Sequence, residues 1–550
     1  MTLSACATYK QEIEKAHQAF HNGDYANAIK NISKTLDPNG KDRLLYYLEL
    51  GLLKNLNHQY EESNRDLTHA ARTAEELETI RAADLLAAML TNPRQGSYRE
   101  STYERAYIHY YKALNYLFLA DRHPTKAIDH LESARVEARK IDIMLSALEH
   151  EEGNYQEARD RKTRFFGQLM TLLNTLDNNY LDEEKLVFRE DAYIRYLTGV
   201  IYESNGELDN ARIAYRESAE LYQDGYADQY ELDHAITEQA WFDTIRVMKT
   251  SGDYEGEWQT LSNDKLPERL RNKINTLHTN SSQLIIIEHI GIIPHREELN
   301  IGLSIDEPSK SLILWPTLTG AYQERHDQFS WFYTMYADNS LLRMFTNYNA
   351  RGPTGVIMGQ YTKRVNMERS WQNIRKLGIH NALAEGIRVT VPYYRPYTPS
   401  FGDSSLWLNG KFKGKLIDAE SLSLIAQQEQ LLEARHELRK AVGRELVKVL
   451  FSNGVASGLG SLTNSDTLQS TIGMIFQIAN TVTSQADTRN WLTLPSMIRI
   501  KRLHLTPGQY DVKVVSQSKN HNGHYHEYSN QIQLEKGKIH IIRTRALSSS

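Results

Sequence analysis

Residues Glu190 to Tyr222 read EDAYIRYLTGVIYESNGELDNARIAYRESAELY. Apolar and aromatic residues recur at helical spacing on both sides of Gly206-Glu207, so the stretch predicts two helices joined by a tight turn. Gly206 supplies the turn, Leu208 packs back over it, and Ala211 is small enough to let the second helix approach the first. Gly199 and Tyr202 before the turn, with Tyr215 and Ala219 after it, complete a helix-turn-helix unit. This is the pattern of a tetratricopeptide (TPR) repeat, whose period is about 34 residues.

The same outline recurs toward both ends. Gly23-Asp24-Tyr25-Ala26-Asn27-Ala28 and Gly153-Asn154-Tyr155-Gln156-Glu157-Ala158 repeat it, and Gly252-Asp253-Tyr254 is a degenerate copy. His58-Gln59-Tyr60-Glu61-Glu62-Ser63 is a fifth copy without the glycine. Spacing between copies is irregular. The expectation for residues 11–275 is therefore a TPR-like α-solenoid with inserted helices. Many of the 32 tyrosines crowd this half; most are expected in the repeat core, and a minority along a concave groove.

Near residue 280 the hydrophobic period changes. Leu284-Ile285-Ile286-Ile287 is a buried-strand run, and Leu299 to Ile305 alternates. Ser311 to Trp315 and Ile387 to Val391 read as strands, the latter running into Pro392-Tyr393-Tyr394-Arg395-Pro396, an edge. Asn409-Gly410 signals a hairpin. Met497 to Leu505 and Tyr510 to Val515 alternate around a Pro507-Gly508 turn. Gln531 to Leu534 and Ile539 to Ile542 read as a final hairpin across Lys536-Gly537. Residues 280–320, 386–416 and 495–547 are thus expected to form a small β-sandwich.

Two insertions interrupt it. Residues 321–385 carry Phe329, Trp331, Phe332, Tyr333, Tyr336, Phe345, Tyr348, Tyr361 and Trp371, the candidate partner-binding residues. Residues 417–490 read as a helical hairpin. Its first helix has leucines at 422, 431, 438 and 446, its turn is Gly454 to Gly460, and its second helix is marked by Ile472 to Ile478. The fold class is α+β and multidomain.

Cys6 is the sole cysteine, in the string Leu3-Ser4-Ala5-Cys6. Small residues before a cysteine make a lipobox, in which the cysteine is acylated and becomes the first residue. Met1 and Thr2 leave no room for the charged and apolar parts of a leader, so the leader is expected upstream. Residues 1–10 are read as the anchor. Ala7 and Thr8 follow Cys6, with no aspartate to hold the product at the inner membrane. The expected address is the periplasmic face of the outer membrane, where acyl chains supply attachment.

The sequence departs from the patterns of several chemistries. A formal net charge of -5 over 550 residues has no basic block for nucleic acid. Gly410 to Lys415 fails the spacing and the hydroxyl of a phosphate-binding loop. His521, His524 and His526 sit close together but lack carboxylate or cysteine co-ligands, and read as a solvated turn. Asp487, Thr488, Arg489 and Trp491 read as an Arg–Asp pair and a tryptophan fixing the chain between helix and strand. No catalytic residue, cofactor or metal is expected.

Taken together, Tyr98 to Tyr116 (YRESTYERAYIHYYKALNY), Ala134 to Arg139, Glu190 to Tyr222, Ala486 to Trp491 with Leu494-Pro495, and Leu505 to Tyr510 resemble a family of proteobacterial periplasmic TPR lipoproteins without an assigned activity. Its members tend to be encoded beside penicillin-binding-protein activator lipoproteins, which implies a link to the envelope and peptidoglycan. The 321–385 insertion is longer than the family pattern. The expected function is a non-enzymatic, lipid-anchored scaffold that binds envelope proteins, as a homo- or hetero-oligomer. The alternatives are a structural subunit of an envelope-spanning machine, such as a secretion system or flagellar collar, and a peptidoglycan-binding module.

Overall fold

The computed structural model describes residues 9–81, 93–151, 190–277, 281–336, 362–376, 378–395, 401–452, 485–519 and 525–547. Its helical part comprises α1 (Tyr9–Glu12), α2 (Glu14–His21), α3 (Tyr25–Thr35), α4 (Arg43–Leu56), α5 (Tyr60–Arg81), α6 (Thr102–Arg122), α7 (Ala127–Glu151), α8 (Ala192–Ser204), α9 (Leu208–Leu221), α10 (Ala235–Ser251), α11 (Glu257–Lys265) and α12 (Glu268–Thr276). Successive helices pack as pairs: α2 with α3, α4 with α5, α6 with α7, α8 with α9.

Three of these pairs share one turn. Gly23, His58 and Gly206 all have positive φ, at 71°, 59° and 78°. In each, the amide of that residue bonds the carbonyl three back, and the next amide bonds the carbonyl five back: Asp24 to Ala19, Gln59 to Lys54, Glu207 to Tyr202. The last carbonyls of the first helix are thus satisfied, as in a Schellman motif. His58 takes the left-handed conformation that usually falls to glycine, so the turn keeps the same geometry there without one. Seven residues before two of these turns, contact requires a glycine. A Cβ on Gly199 would lie 2.5 Å from Tyr215, and one on Gly51 would lie 2.6 Å from Leu67. Five residues after each turn comes a small buried residue, Ala28, Ser63 or Ala211.

The strands are β1 (Ser282–Ile290), β2 (Arg296–Asp306), β3 (Ser311–Thr317), β4 (Lys363–Asn366), β5 (Ile387–Tyr394), β6 (Phe401–Leu408), β7 (Lys411–Lys415), β8 (Ile417–Glu420), β9 (Met497–Leu505), β10 (Gly508–Ser518), β11 (Tyr525–Leu534) and β12 (Ile539–Ala546). They form three four-stranded sheets, ordered β12-β1-β9-β8, β11-β10-β6-β7 and β4-β3-β2-β5. The first two make a sandwich closed by Leu284, Ile286, Leu406, Leu408, Val512 and Val514. The other face of the first sheet packs on the helices through Ile285, Ile287, Ile498 and Ile500. Burial on both faces is why β1 reads as an unbroken apolar run.

The sandwich differs from its sequence reading in two ways. Strands β2, β3 and β5 leave it and form the third sheet, whose core is shared with two further helices, α13 (Tyr322–Tyr336) and α14 (Leu422–Ser452). β11 and β12 do not pair as a hairpin: β11 pairs antiparallel with β10, and β12 pairs parallel with β1. Gly537, at φ 71°, turns the chain from one sheet to the other. Alternation marks a strand with one face inward, but it does not say which neighbour the strand will find. The second half of the expected helical hairpin falls in 453–484, outside the described residues.

Candidate functional site

The face of the first sheet that meets the helices is not wholly apolar. Side chains alternate along a strand, so Gln283 and His289 on β1, Arg502 and His504 on β9, and Arg543 and Arg545 on β12 join the isoleucines on that face. Arg502 is fully buried and donates to Glu203 (2.6 Å), to Gln283 (2.9 Å) and to the Tyr215 hydroxyl (2.8 Å). Arg246 on α10 spans both oxygens of Glu203 at 2.8 and 2.6 Å, and its Nε donates to Asp243 at 3.0 Å. The Tyr196 hydroxyl and the Gln239 amide also donate to Asp243, at 2.6 and 2.7 Å. Burial alone would push both carboxyls up. The two guanidinium groups outweigh it and hold Glu203 well below, and Asp243 below, the usual range.

A second junction lies at the other end of the array. The segment Ala486 to Leu494, without regular secondary structure and turning at Leu492–Thr493, packs against the first helices, with Arg489 and Trp491 fully buried. Arg489 pairs with Asp487 (2.6 Å) and Asp42 (2.8 Å), and donates to the carbonyls of Gly96 and Pro93. Helix carboxylates hold the backbone of the segment: Glu104 accepts the Trp491 amide at 2.8 Å, and Glu49 accepts the Leu492 amide at 2.9 Å. Glu49 also receives the Thr493 hydroxyl at 2.7 Å. Its burial still raises it to about 7.

Between these junctions lies a buried pair of acids. Asp191 caps α8 by accepting the Ile194 amide at 2.7 Å, and Glu420, at the end of β8, accepts the Tyr226 hydroxyl at 2.7 Å. Tyrosines surround them, and the Tyr222 hydroxyl donates to the Ala419 carbonyl. Burial raises Asp191 to about 6. Burial, with the neighbouring Asp191 charge, raises Glu420 well above the carboxylate range. The pair therefore keeps a proton at mildly acidic pH.

Where the helical array meets the rim of the first sheet there is a cavity of about 390 Å³. Leu117, Phe118 and Leu131 from α6 and α7 line it together with Arg246, Lys249 and His504.

The sequence-derived candidates are dispersed. Phe332 and Tyr336 are fully buried in the third sheet's core, with Trp371 almost so. Trp331 is half-buried, 6.2 Å from the Tyr393 ring, and Phe329 is half-buried. Cys6, Phe345, Tyr348, Tyr361 and the Tyr333 side chain lie outside the described residues, as do His521 and His524. The Arg489–Asp487 pair is where the sequence reading put it. The Glu203–Arg246–Arg502–Asp243 network and the Asp191–Glu420 pair were missed. The one available signal was polar residues recurring at the inward positions of β9, which alone cannot be told from a solvated face.

No family model matches the chain, and no curated protein matches it. A solved structure titled the crystal structure of BtubC (BKLC) from P. vanneervenii is similar to 49% of this chain and 90% of its own, at 17% identity and a TM-score of 0.18. A likeness that slight carries no argument about fold or function.

Proposed function

We propose that the protein is a non-enzymatic, lipid-anchored scaffold at the periplasmic face of the outer membrane. Its TPR-like helix pairs present surface to envelope proteins. The observation that carries this reading is a set of apolar side chains on the outside of the array. Ile128, Val136 and Ile143 on α7 are 78%, 48% and 72% exposed, and Ile213 on α9 is 44% exposed. Residues seven and eight apart lie on one side of a helix, and apolar residues gathered there mark a contact surface. The inner faces of the array are filled by the first sheet and by Ala486 to Leu494, so a partner would meet the outer faces. The shared turn geometry of α2–α3, α4–α5 and α8–α9 supports the repeat reading, and the Leu3-Ser4-Ala5-Cys6 string supports the anchor.

The test uses the full chain with an upstream leader. Labelled fatty acid should enter the wild type and not the Cys6→Ser variant. An Ile128→Glu/Ile143→Glu double variant should lose its crosslinked envelope partner at an unchanged melting temperature. An unlabelled wild type refutes the anchor, and an unchanged crosslinking pattern refutes the docking face.

A further inference from the structure

The cavity at the sheet rim has an unusual balance of groups. Most carboxylates around it have a side-chain partner: Glu203 with Arg246, Asp121 with the His540 ring at 3.2 Å, and Glu535 with Lys538 at 2.5 Å. Lys249 is different. It sits three residues beyond Arg246 on α10 and gives its ammonium to the backbone carbonyls of Ile274 and Asn275, at 2.7 and 3.4 Å. Among the described residues no carboxylate pairs with it.

His504 also lines the cavity, and both its ring nitrogens are buried without a hydrogen-bond partner among the described residues. Burial, with the charges of Arg246 and Arg502, lowers it to about 2, so the ring is neutral at physiological pH. A neutral imidazole offers one donor and one acceptor, and buried polar groups of this kind are normally satisfied. Leu117, Phe118, Leu131 and Ile274 give the same cavity an apolar lining.

We propose that this cavity binds a small organic anion carrying an apolar body, with the anionic group at Lys249 and a hydrogen-bonding group against His504. A space of about 390 Å³ admits a small molecule. A bare inorganic anion would leave the apolar lining unfilled, and a neutral hydrocarbon would leave the Lys249 charge without a counter-charge and the His504 nitrogens without partners. The site is separate from the outer faces of α7 and α9, so it adds a ligand to the scaffold reading and does not depend on it.

The probe is 8-anilinonaphthalene-1-sulfonate, titrated by fluorescence into the full chain at neutral pH, with octanoate as competitor. Binding should saturate at one probe per chain, and octanoate should displace the probe while inorganic phosphate and octanol do not. Lys249→Gln should weaken binding about tenfold. His504→Phe keeps a ring but removes both nitrogens, and should weaken it severalfold. Both effects should appear at an unchanged melting temperature. Unsaturable binding, displacement by phosphate, or equal affinity in both variants would overturn the proposal. Should His504→Phe fold poorly, Lys249→Gln decides alone, because that side chain is half-exposed.

Discussion

Two buried polar clusters lie between the helical array and the first sheet, the Arg502 junction and the Asp191–Glu420 pair, and they handle charge in opposite ways. Around Arg502, two guanidinium groups face the two carboxylates Glu203 and Asp243, and each charge is matched. Around Glu420, two carboxyls face each other among tyrosines, and the Tyr226 hydroxyl donates to Glu420 without neutralising it. The first arrangement draws its acids below the ordinary range and the second pushes its acids above it. Paired charge favours the ionised junction, whereas the acid pair favours a junction with a proton retained. The two therefore respond to pH in opposite senses.

Removing one member of the matched set should have the largest effect. Arg502→Met leaves Glu203 and Asp243 with Arg246 alone and should cost about 3–5 kcal/mol in denaturant unfolding, the usual result of an uncompensated buried charge. Adding Glu203→Gln should recover part of that loss. If the double variant is no better than the single one, charge matching is not what the junction depends on.

The acid pair gives the next effect. Asp191 and Glu420 are raised in the folded state, so the folded protein binds more protons than the unfolded chain above the ordinary carboxylate range near pH 4. Their contribution is full below that pH and fades as pH rises, through about 6 for Asp191 and higher for Glu420. Glu203 and Asp243 are depressed, so theirs is present above about pH 4 and lost as pH falls below it. Glu420→Gln should flatten the decline between pH 5 and 8, on the order of 1–3 kcal/mol, and leave the acid limb alone. An unchanged pH–stability curve would show that the carboxyls do not share a proton.

Packing without charge supplies the control. Gly199→Ala drives a methyl into the Tyr215 ring and should cost about 1–3 kcal/mol by overpacking, with no change in the pH profile. A steepened profile would mean that Tyr215 transmits strain to Arg502. The smallest effect belongs to the turn at His58. His58→Gly relieves a left-handed residue and gives up the bond of its ring to Tyr60 (2.9 Å). Melting should then rise by an amount worth a few tenths of a kcal/mol, and a clear fall would show that the side-chain bond outweighs the backbone strain.

Much of the architecture was legible because its signals are local. The glycine turn at Gly206, the small residue at Ala211, the apolar run of β1 and the Asn409-Gly410 hairpin each declare themselves within a few residues. What the local pattern does not carry is the partner. Gln531 to Leu534 and Ile539 to Ile542 were correct as strands and wrong as a pair, since each found its neighbour in a different sheet. Phe332, Tyr336 and Trp371 signalled only that large rings need burial, and they find it against α14 and the third sheet. Arg502 and His504 alternate with Leu503 and Leu505 as a solvent face would. Their burial follows from a helical layer encoded some 250 to 300 residues earlier, and no window of sequence spans that distance.

The parallel pairing of β12 with β1 sets an order on how the molecule can be made. The helices carrying Glu203 and Asp243 leave the ribosome long before Arg502, which follows Glu203 by 299 residues. β1 gains its β12 neighbour later still. Until then the nascent array holds two acids, a row of tyrosines and an apolar strand with nothing to cover them. Loop closures this long are slow. A chain halted between α12 and β9 is therefore the form most exposed to proteases and in most need of a chaperone.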